Sequence, residues 1–160
     1  MNRRTFVNTT VAAAIGSLLA RANAQPVPKT KNVVLIHGLF ADGSCWSEVI
    51  ARLQTKGIQA TAVQNPLTSL QAAVEATQQV LAWQQGPTVL VAHSFGGMIL
   101  TEAGVDPKVS AVVYVAARAP DAGEDYPALA ARFPTPPATA GIIWSDDWGR
   151  LSEASARLCG

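Results

Sequence analysis

The sequence predicts an α/β protein built on a parallel sheet of about four strands with flanking helices. Short runs of β-branched and aliphatic residues begin near positions 32, 58, 88 and 109. The segments between them carry apolar residues at helical spacing. Helical connections between successive short strands favour parallel pairing with right-handed crossovers. With 160 residues, the chain is long enough for one such domain with a sizeable core.

The first strand is predicted over residues 32–36, where an apolar run is too short for a typical helix. Asp42 or Ser44 can cap the helix that follows, and Gly57 can end it in a left-handed conformation. A second strand is predicted over residues 58–63. The apolar residues that define the intervening helix are Trp46, Val49, Ile50 and Leu53.

A second helix is predicted to open at residues 68–71, which read Thr-Ser-Leu-Gln and resemble a capping box. The Gly-Pro pair at 86–87 ends it. The third strand is predicted over 88–92, a third helix runs to about Gly104, and the fourth strand covers 109–116. The residues expected along one side of the second helix are Leu70, Val74, Thr77, Leu81 and Gln84.

Residues 121–160 lose this rhythm of strands and helices. Prolines at 134, 136 and 137 interrupt regular structure. Residues 142–144, Ile-Ile-Trp, are expected to form either a short strand or an apolar plug, and 152–158 is weakly helical at best. The predicted core domain therefore ends near residue 120.

The N-terminus has the pattern of a secretory signal peptide over residues 1–24. Arg3 and Arg4 precede a short apolar stretch, and Ala22-Asn23-Ala24 offers small residues for cleavage before a linker at 25–31. The arginine pair is typical of twin-arginine export, which predicts a periplasmic or secreted protein. The alternative is a basic amphipathic helix that is retained.

Charge and cysteine content exclude several partner classes. Removal of Arg3, Arg4 and Arg21 with the signal would leave nine basic residues against eleven acidic ones. Such a chain has no basic stripe for nucleic acid, and no apolar run is long enough to act as a membrane anchor. Cys45 and Cys159 are expected to remain unpaired thiols, and the His and Cys spacing predicts no metal site.

Ser94 follows the third predicted strand and precedes a helix. This placement is typical of a nucleophilic serine on a sharp strand-to-helix turn, which requires small neighbours two positions away on each side. Gly96 lies two positions after Ser94 and is followed by Gly97. Ala92 lies two positions before Ser94, where the pattern usually has glycine. The alternative is an ordinary serine that caps the helix.

His37-Gly38-Leu39 follows the first strand. Enzymes with a nucleophilic serine on a strand-to-helix turn place one donor of the oxyanion hole there. The second donor is the backbone N–H after the nucleophile, here that of Phe95. His37 is expected to fix the geometry of its loop, and His93 to pack behind the serine turn, so that neither acts as the base.

Together these motifs resemble the α/β-hydrolase family, and the likeness runs from about residue 32 to 148. The branch with the best likeness comprises small esterases, including plant methylesterases and hydroxynitrile lyases. The resemblance implies that Ser94 is the nucleophile, that Leu39 and Phe95 supply oxyanion N–H groups, and that no cofactor is needed. The further segments that carry the likeness are Asp42-Gly43-Ser44-Cys45-Trp46, Gln64-Asn65-Pro66-Leu67, Tyr114-Val115-Ala116-Ala117 and residues 119–124.

Family members continue through a cap, further strands, an acidic residue and a late histidine, whereas no histidine follows His93 here. We therefore expect a C-terminally truncated chain that lacks the last strands and most of the cap. The implied activity is hydrolysis of small carboxylic esters through an acyl-enzyme. Alternatives are an inactive fragment, a minimal hydrolase using Asp121 and His37, and a lyase or cofactor-free peroxidase. A bare edge on the fourth strand would favour self-association.

Overall fold

The computed structural model describes residues 30–145 and 148–151. The predicted signal peptide, most of the predicted linker, the weak helix expected at 152–158 and Cys159 lie outside the described residues. Within them, no helix is long and apolar enough to cross a membrane.

Four parallel strands form the central sheet: β1 (Asn32–Ile36), β2 (Gln59–Val63), β3 (Thr88–Ser94) and β4 (Val109–Ala117). Their spatial order is β2-β1-β3-β4. Each strand is connected to the next by a helical segment, and the predicted parallel sheet of about four strands is confirmed. Because β1 and β3 are adjacent, the loops that follow them emerge side by side at one edge of the sheet.

Three helices flank this sheet: α1 (Ser47–Gln54), α2 (Leu70–Trp83) and α3 (Gly96–Ala103). Asp42 accepts a hydrogen bond from the Ser44 N–H and opens a 3-10 turn, Gly43–Trp46, that leads into α1. The capping box predicted at 68–71 is wrong in detail. Ser69 alone caps α2, by accepting from the Ala72 N–H, because Gln71 lies inside the helix and donates to Glu75.

Two apolar layers pack on opposite faces of the sheet because successive strand residues point to opposite sides. On one face, α2 and α3 bury Leu81, Ile99 and Leu100 against the sheet. On the other, Trp46 beside α1 covers Leu35. The predicted stripe on α2 is largely confirmed, since Val74, Thr77 and Leu81 are buried, although Gln84 lies just past the helix end.

β4 pairs with β3 alone among the described strands. Its central side chains are exposed by about two-fifths, as in Val112 at 43% and Tyr114 at 39%. A long uncharged strand edge favours pairing with another chain. Self-association through this edge stays a prediction.

The segment after β4 contains α4 (Tyr126–Ala130), a 3-10 turn (Pro137–Gly141) and an antiparallel hairpin of β5 (Ile142–Ser145) with β6 (Trp148–Leu151). Of the two alternatives expected for residues 142–144, a short strand or an apolar plug, the structure has the strand. No clear signal for β6 occurs in the sequence. The hairpin forms a second, two-stranded sheet.

Candidate active site

The candidate site lies where β1 and β3 end. The two strands run parallel with Ile36 beside Ala92. The residues that directly follow, 37–40 and 93–97, are consequently neighbours at the carboxyl edge of the sheet. Ligands in open α/β folds usually bind at this edge.

Ser94 occupies the sharp turn that the sequence predicts. It is the last residue of β3, only Phe95 separates it from α3, and its φ is +53°. A left-handed conformation costs a residue with a side chain roughly 1–2 kcal/mol. Strain of this kind persists only where the surrounding structure enforces it, and it is concentrated at functional sites.

Small residues around Ser94 permit close packing of the turn. A Cβ on Gly96 would lie 2.8 Å from the carbonyl oxygens of both Ile36 and His37. A Cβ on Gly97 would overlap the carbonyl oxygen of Arg118. Ala92 is fully buried within the sheet, so its methyl group is accommodated where the usual pattern has glycine.

A bulge in β4 lies directly beside the turn. Ser94 pairs with Ala117 and His93 with Val115, so Ala116 is the extra residue, and its φ is +42°. The Arg118 N–H donates to the carbonyl oxygen of Ser94 at 2.9 Å. The bulge thus keeps β4 bonded to the turn although the course of β3 changes there.

Gly38 brings the β1 loop against the serine. A Cβ at Gly38 would lie 2.9 Å from the Ser94 Cβ and 3.3 Å from its Oγ. Leu39, the next residue, is half-buried, and Phe95 directly precedes α3, where backbone N–H groups are free of helical partners. The residues expected to supply the oxyanion donors therefore flank Ser94 from the two neighbouring loops.

His37 is buried and both of its ring nitrogens are engaged. Nε2 accepts from the Asn65 N–H at 3.0 Å. Since a backbone N–H can only donate, the proton of the neutral ring is on Nδ1, which donates to the Gly38 carbonyl at 2.8 Å. This geometry makes His37 part of the loop and leaves no nitrogen free to take a proton from Ser94.

His93 differs from its expected placement. It is exposed, so the prediction of a histidine packed behind the turn is wrong. On β3 it shares a face with Val89 and Val91, which pack in the layer around Trp46. His93 lies further along that face, and none of the described elements buries it. As the residue before Ser94 in the strand, it projects to the opposite side of the sheet.

Two ionisable groups lie on the loop between β1 and α1. Hydrogen bonds from Ser44 hold the pKa of Asp42 below its usual value. Partial burial, followed by the negative charge of Asp42, raises the pKa of the Cys45 thiol. Cys45 is a free thiol, as expected, and its raised pKa disfavours the reactive thiolate.

No cluster of three or more His, Cys, Asp or Glu side chains suited to a metal ion occurs within residues 30–145 and 148–151. Sequence reasoning assigned no role to two residues at the site, Asn65 and Ala116, although both lie in segments that carry the family likeness. Asn65 contacts His37, and its position at the carboxyl end of β2 was an available signal. Ala116 carried no signal, because alanine rarely adopts a positive φ.

The sequence profile of the alpha/beta hydrolase family matches residues 33–159. This chain belongs to the alpha/beta hydrolase family. Two curated relatives confirm the esterase branch that the motifs predicted. The carbendazim hydrolyzing esterase of Nocardioides sp. (strain SG-4G) is 26% identical over 126 aligned residues, covering 70% of this chain and 52% of that protein. Methylesterase 7 of Arabidopsis thaliana is 33% identical over 107 residues, covering 57% of this chain and 41% of the relative.

Solved structures share the fold of this alpha/beta hydrolase chain. Polyneuridine aldehyde esterase matches with a TM-score of 0.59 at 22% identity, over 76% of this chain and 56% of that one. A pyrethroid hydrolase from Sphingobium faniae JZ-2 matches with a TM-score of 0.62 at 22% identity, over 74% and 53%. The chain spans about half the length of the curated relatives it matches.

Proposed function

We propose that this chain carries the nucleophile and oxyanion hole of a serine esterase that acts on small carboxylic esters. The strained left-handed Ser94, with Gly38 against its side chain, is the observation on which the proposal rests. A cost in backbone energy is borne by a serine that ends a parallel strand and lies one residue before a helix. The names of the curated relatives, an esterase and a methylesterase, support ester substrates.

In the proposed reaction, the Ser94 Oγ attacks the ester carbonyl carbon, and the carbonyl π electrons move to oxygen. The N–H groups of Leu39 and Phe95 would stabilise this oxyanion, an effect typically worth about 3–4 kcal/mol for one donor. Its collapse breaks the ester C–O bond and expels the alcohol, leaving an acyl group on Ser94. Attack by water on the acyl carbon then releases the acid and restores the hydroxyl.

Both acyl-transfer steps need a base. It takes the proton of Ser94 and gives it to the departing alcohol oxygen, then takes a proton from water and returns it to the Ser94 Oγ. The ring nitrogens of His37 are occupied, and His93 projects from the opposite side of the sheet. Because neither histidine is placed to accept the proton of Ser94, an external base is added in the test of this proposal. Imidazole in solution can perform the same general-base chemistry as a histidine ring.

The test measures covalent labelling of the full chain by a fluorophosphonate, with and without added imidazole. Hydrolysis of p-nitrophenyl acetate is followed in parallel. Ser94→Ala is the control, since it retains any background hydrolysis by imidazole itself. We expect imidazole-dependent labelling of the parent at Ser94 and a hydrolysis rate above that of the variant.

The second candidate is a catalytically inactive chain, and the engagement of His37 favours it. Labelling and hydrolysis equal to those of Ser94→Ala at every imidazole concentration would support inactivity and contradict the esterase proposal. Labelling of Ser94 without hydrolysis would show a competent nucleophile whose acyl-enzyme is not released.

A further inference from the structure

Asn65 joins the loop after β2 to the loop that flanks Ser94. It is 8% exposed, and its side-chain Nδ2 donates to the His37 carbonyl oxygen at 3.1 Å. Its backbone N–H donates to the His37 ring Nε2 at 3.0 Å. One residue therefore holds both the backbone and the side chain of His37.

The ring of His37 transmits this restraint to the oxyanion loop. Its Nδ1 donates to the Gly38 carbonyl oxygen at 2.8 Å. That carbonyl belongs to the same planar peptide unit as the Leu39 N–H, and in a trans peptide the two groups point in opposite directions. Fixing the Gly38 carbonyl therefore also fixes the direction of the Leu39 N–H.

The tautomer of His37 is set by the bond from the backbone N–H of Asn65 to Nε2. The Asn65 N–H requires an unprotonated Nε2, which leaves the ring proton on Nδ1, where the bond to Gly38 needs it. This bond comes from the main chain, so substitutions of the Asn65 side chain such as leucine or serine retain it, and the part specific to asparagine is the bond from Nδ2 to the His37 carbonyl oxygen.

The remaining polar atom of Asn65 argues against a role in stability alone. Its Oδ1 is buried and has no hydrogen-bond partner among the described residues. An unsatisfied buried acceptor destabilises a fold, and an apolar side chain of similar shape avoids this cost. Asparagine occupies this position although leucine, which has a comparable volume, would avoid the cost of the unsatisfied Oδ1.

From these contacts we infer that Asn65 is a positioning residue, which acts through His37 to aim the Leu39 N–H at the oxyanion. The inference deepens the proposed esterase function and depends on it for its catalytic meaning. Asn65 itself touches neither Ser94 nor the reacting atoms in this scheme.

The test compares Asn65→Leu with Gln64→Leu, the same exchange at the adjacent residue. The Gln64 side chain is exposed and bonds Gly43, which lies in the same β1–α1 loop but further from Ser94. With imidazole present, we expect Asn65→Leu to lower the fluorophosphonate labelling rate about tenfold or more, while its thermal midpoint stays near that of the parent. Gln64→Leu should label at the parental rate. Equal labelling by Asn65→Leu and the parent would overturn the inference.

A double-variant cycle tests the route through His37. The Asn65 side chain holds the His37 carbonyl, which His37→Ala keeps, whereas the ring that bonds the Gly38 carbonyl is lost in that variant. If the ring relays the restraint, Asn65→Leu should therefore lower labelling less in His37→Ala than in the parent. Independent, multiplying losses would contradict that route. Should Asn65→Leu fail to fold, Asn65→Ser replaces it, because a serine hydroxyl is too short to reach the His37 carbonyl oxygen.

Nuclear magnetic resonance gives a readout that does not depend on activity. We expect the His37 ring to be Nδ1-protonated in the parent and in Asn65→Leu, because leucine keeps the backbone N–H that binds Nε2. Loss of the side-chain bond to the His37 carbonyl oxygen should instead change the Leu39 amide resonance. An unchanged Leu39 amide resonance would overturn the inference whatever the labelling shows. A parent that never labels, but whose Leu39 amide responds to Asn65→Leu, would contradict the esterase proposal and leave the positioning contact established.

Discussion

Gly96→Ala is expected to displace the oxyanion loop while leaving most of the fold in place. The new methyl group would lie 2.8 Å from the carbonyl oxygens of Ile36 and His37, whereas ordinary contact begins at 3.4 Å. The methyl group and these oxygens must therefore move apart by about 0.6 Å. Both obstacles are backbone atoms and cannot rotate away. Overpacking of this kind typically costs about 1–3 kcal/mol of folding stability.

The larger effect should be on the reactivity of Ser94, because the His37 carbonyl directly precedes Gly38, which lies against the serine. A displacement approaching 1 Å can reduce the rate of an oriented reaction about a hundredfold. For a shift of roughly half that distance we expect a loss of about ten- to a hundredfold, equivalent to about 1.4–2.7 kcal/mol in the activation free energy. The assay is imidazole-dependent fluorophosphonate labelling, measured beside the free energy of unfolding in urea.

Gly57→Ala is the matched control for lost stability. Gly57 has a φ of +72° with nothing within 4 Å of a built Cβ, so the exchange strains the backbone by about 1–2 kcal/mol away from the site. It should be destabilised to a similar extent yet label at the parental rate. If Gly96→Ala also labels at the parental rate, or if both variants lose labelling equally, the close approach of Gly96 does not position the oxyanion loop.

Three further expectations follow from individual contacts. Ala116→Gly should raise the free energy of unfolding by roughly 0.5–1 kcal/mol because it relieves a φ of +42°, whereas Ala111→Gly in the same strand should lower it. Lys108→Met should cost about 1–2 kcal/mol, as measured by urea unfolding, because the ammonium group donates to three carbonyls at the end of α2, the shortest at 2.6 Å. The pKa of Cys45 can be measured from the pH dependence of iodoacetamide alkylation, in a chain whose second cysteine is replaced by serine. It should lie above the pKa of the same thiol in the urea-unfolded chain, and Asp42→Asn should lower the pKa of the folded chain. Because the folded pKa is the higher one, the stability linked to this thiol is present below its unfolded pKa and lost as the pH rises through the folded value.

The sheet was predictable because its signal is local. Residues 32–36 and 88–92 are apolar runs bounded by turn residues, and such runs become buried parallel strands wherever helical segments connect them. The serine turn was equally predictable, since small residues at 92 and 96 flank a serine between a predicted strand and a predicted helix, and this pattern is typical of the turn. Sequence reasoning failed for His93, whose burial depends on whether another element packs over the end of β3.

The contacts that define the candidate site come from residues far apart in the chain. Asn65 lies 28 positions from His37, and the polar groups of neither residue alone predict their exchange of hydrogen bonds. The left-handed Ala116 beside Ser94 arises because β4 must stay in register with β3 past its sharp turn.

The sequence alone determined the parallel sheet, the place of Ser94 at the end of a strand and the family to which the chain belongs. Periodicity and residue size act over a few neighbouring positions, so they can be read without knowledge of the fold. The tertiary structure decided how closely Gly38 approaches Ser94, which nitrogen of His37 carries the proton and which residue holds that ring. These features depend on distances between separate loops, and only the pairing of β1 with β2 and β3 sets those distances.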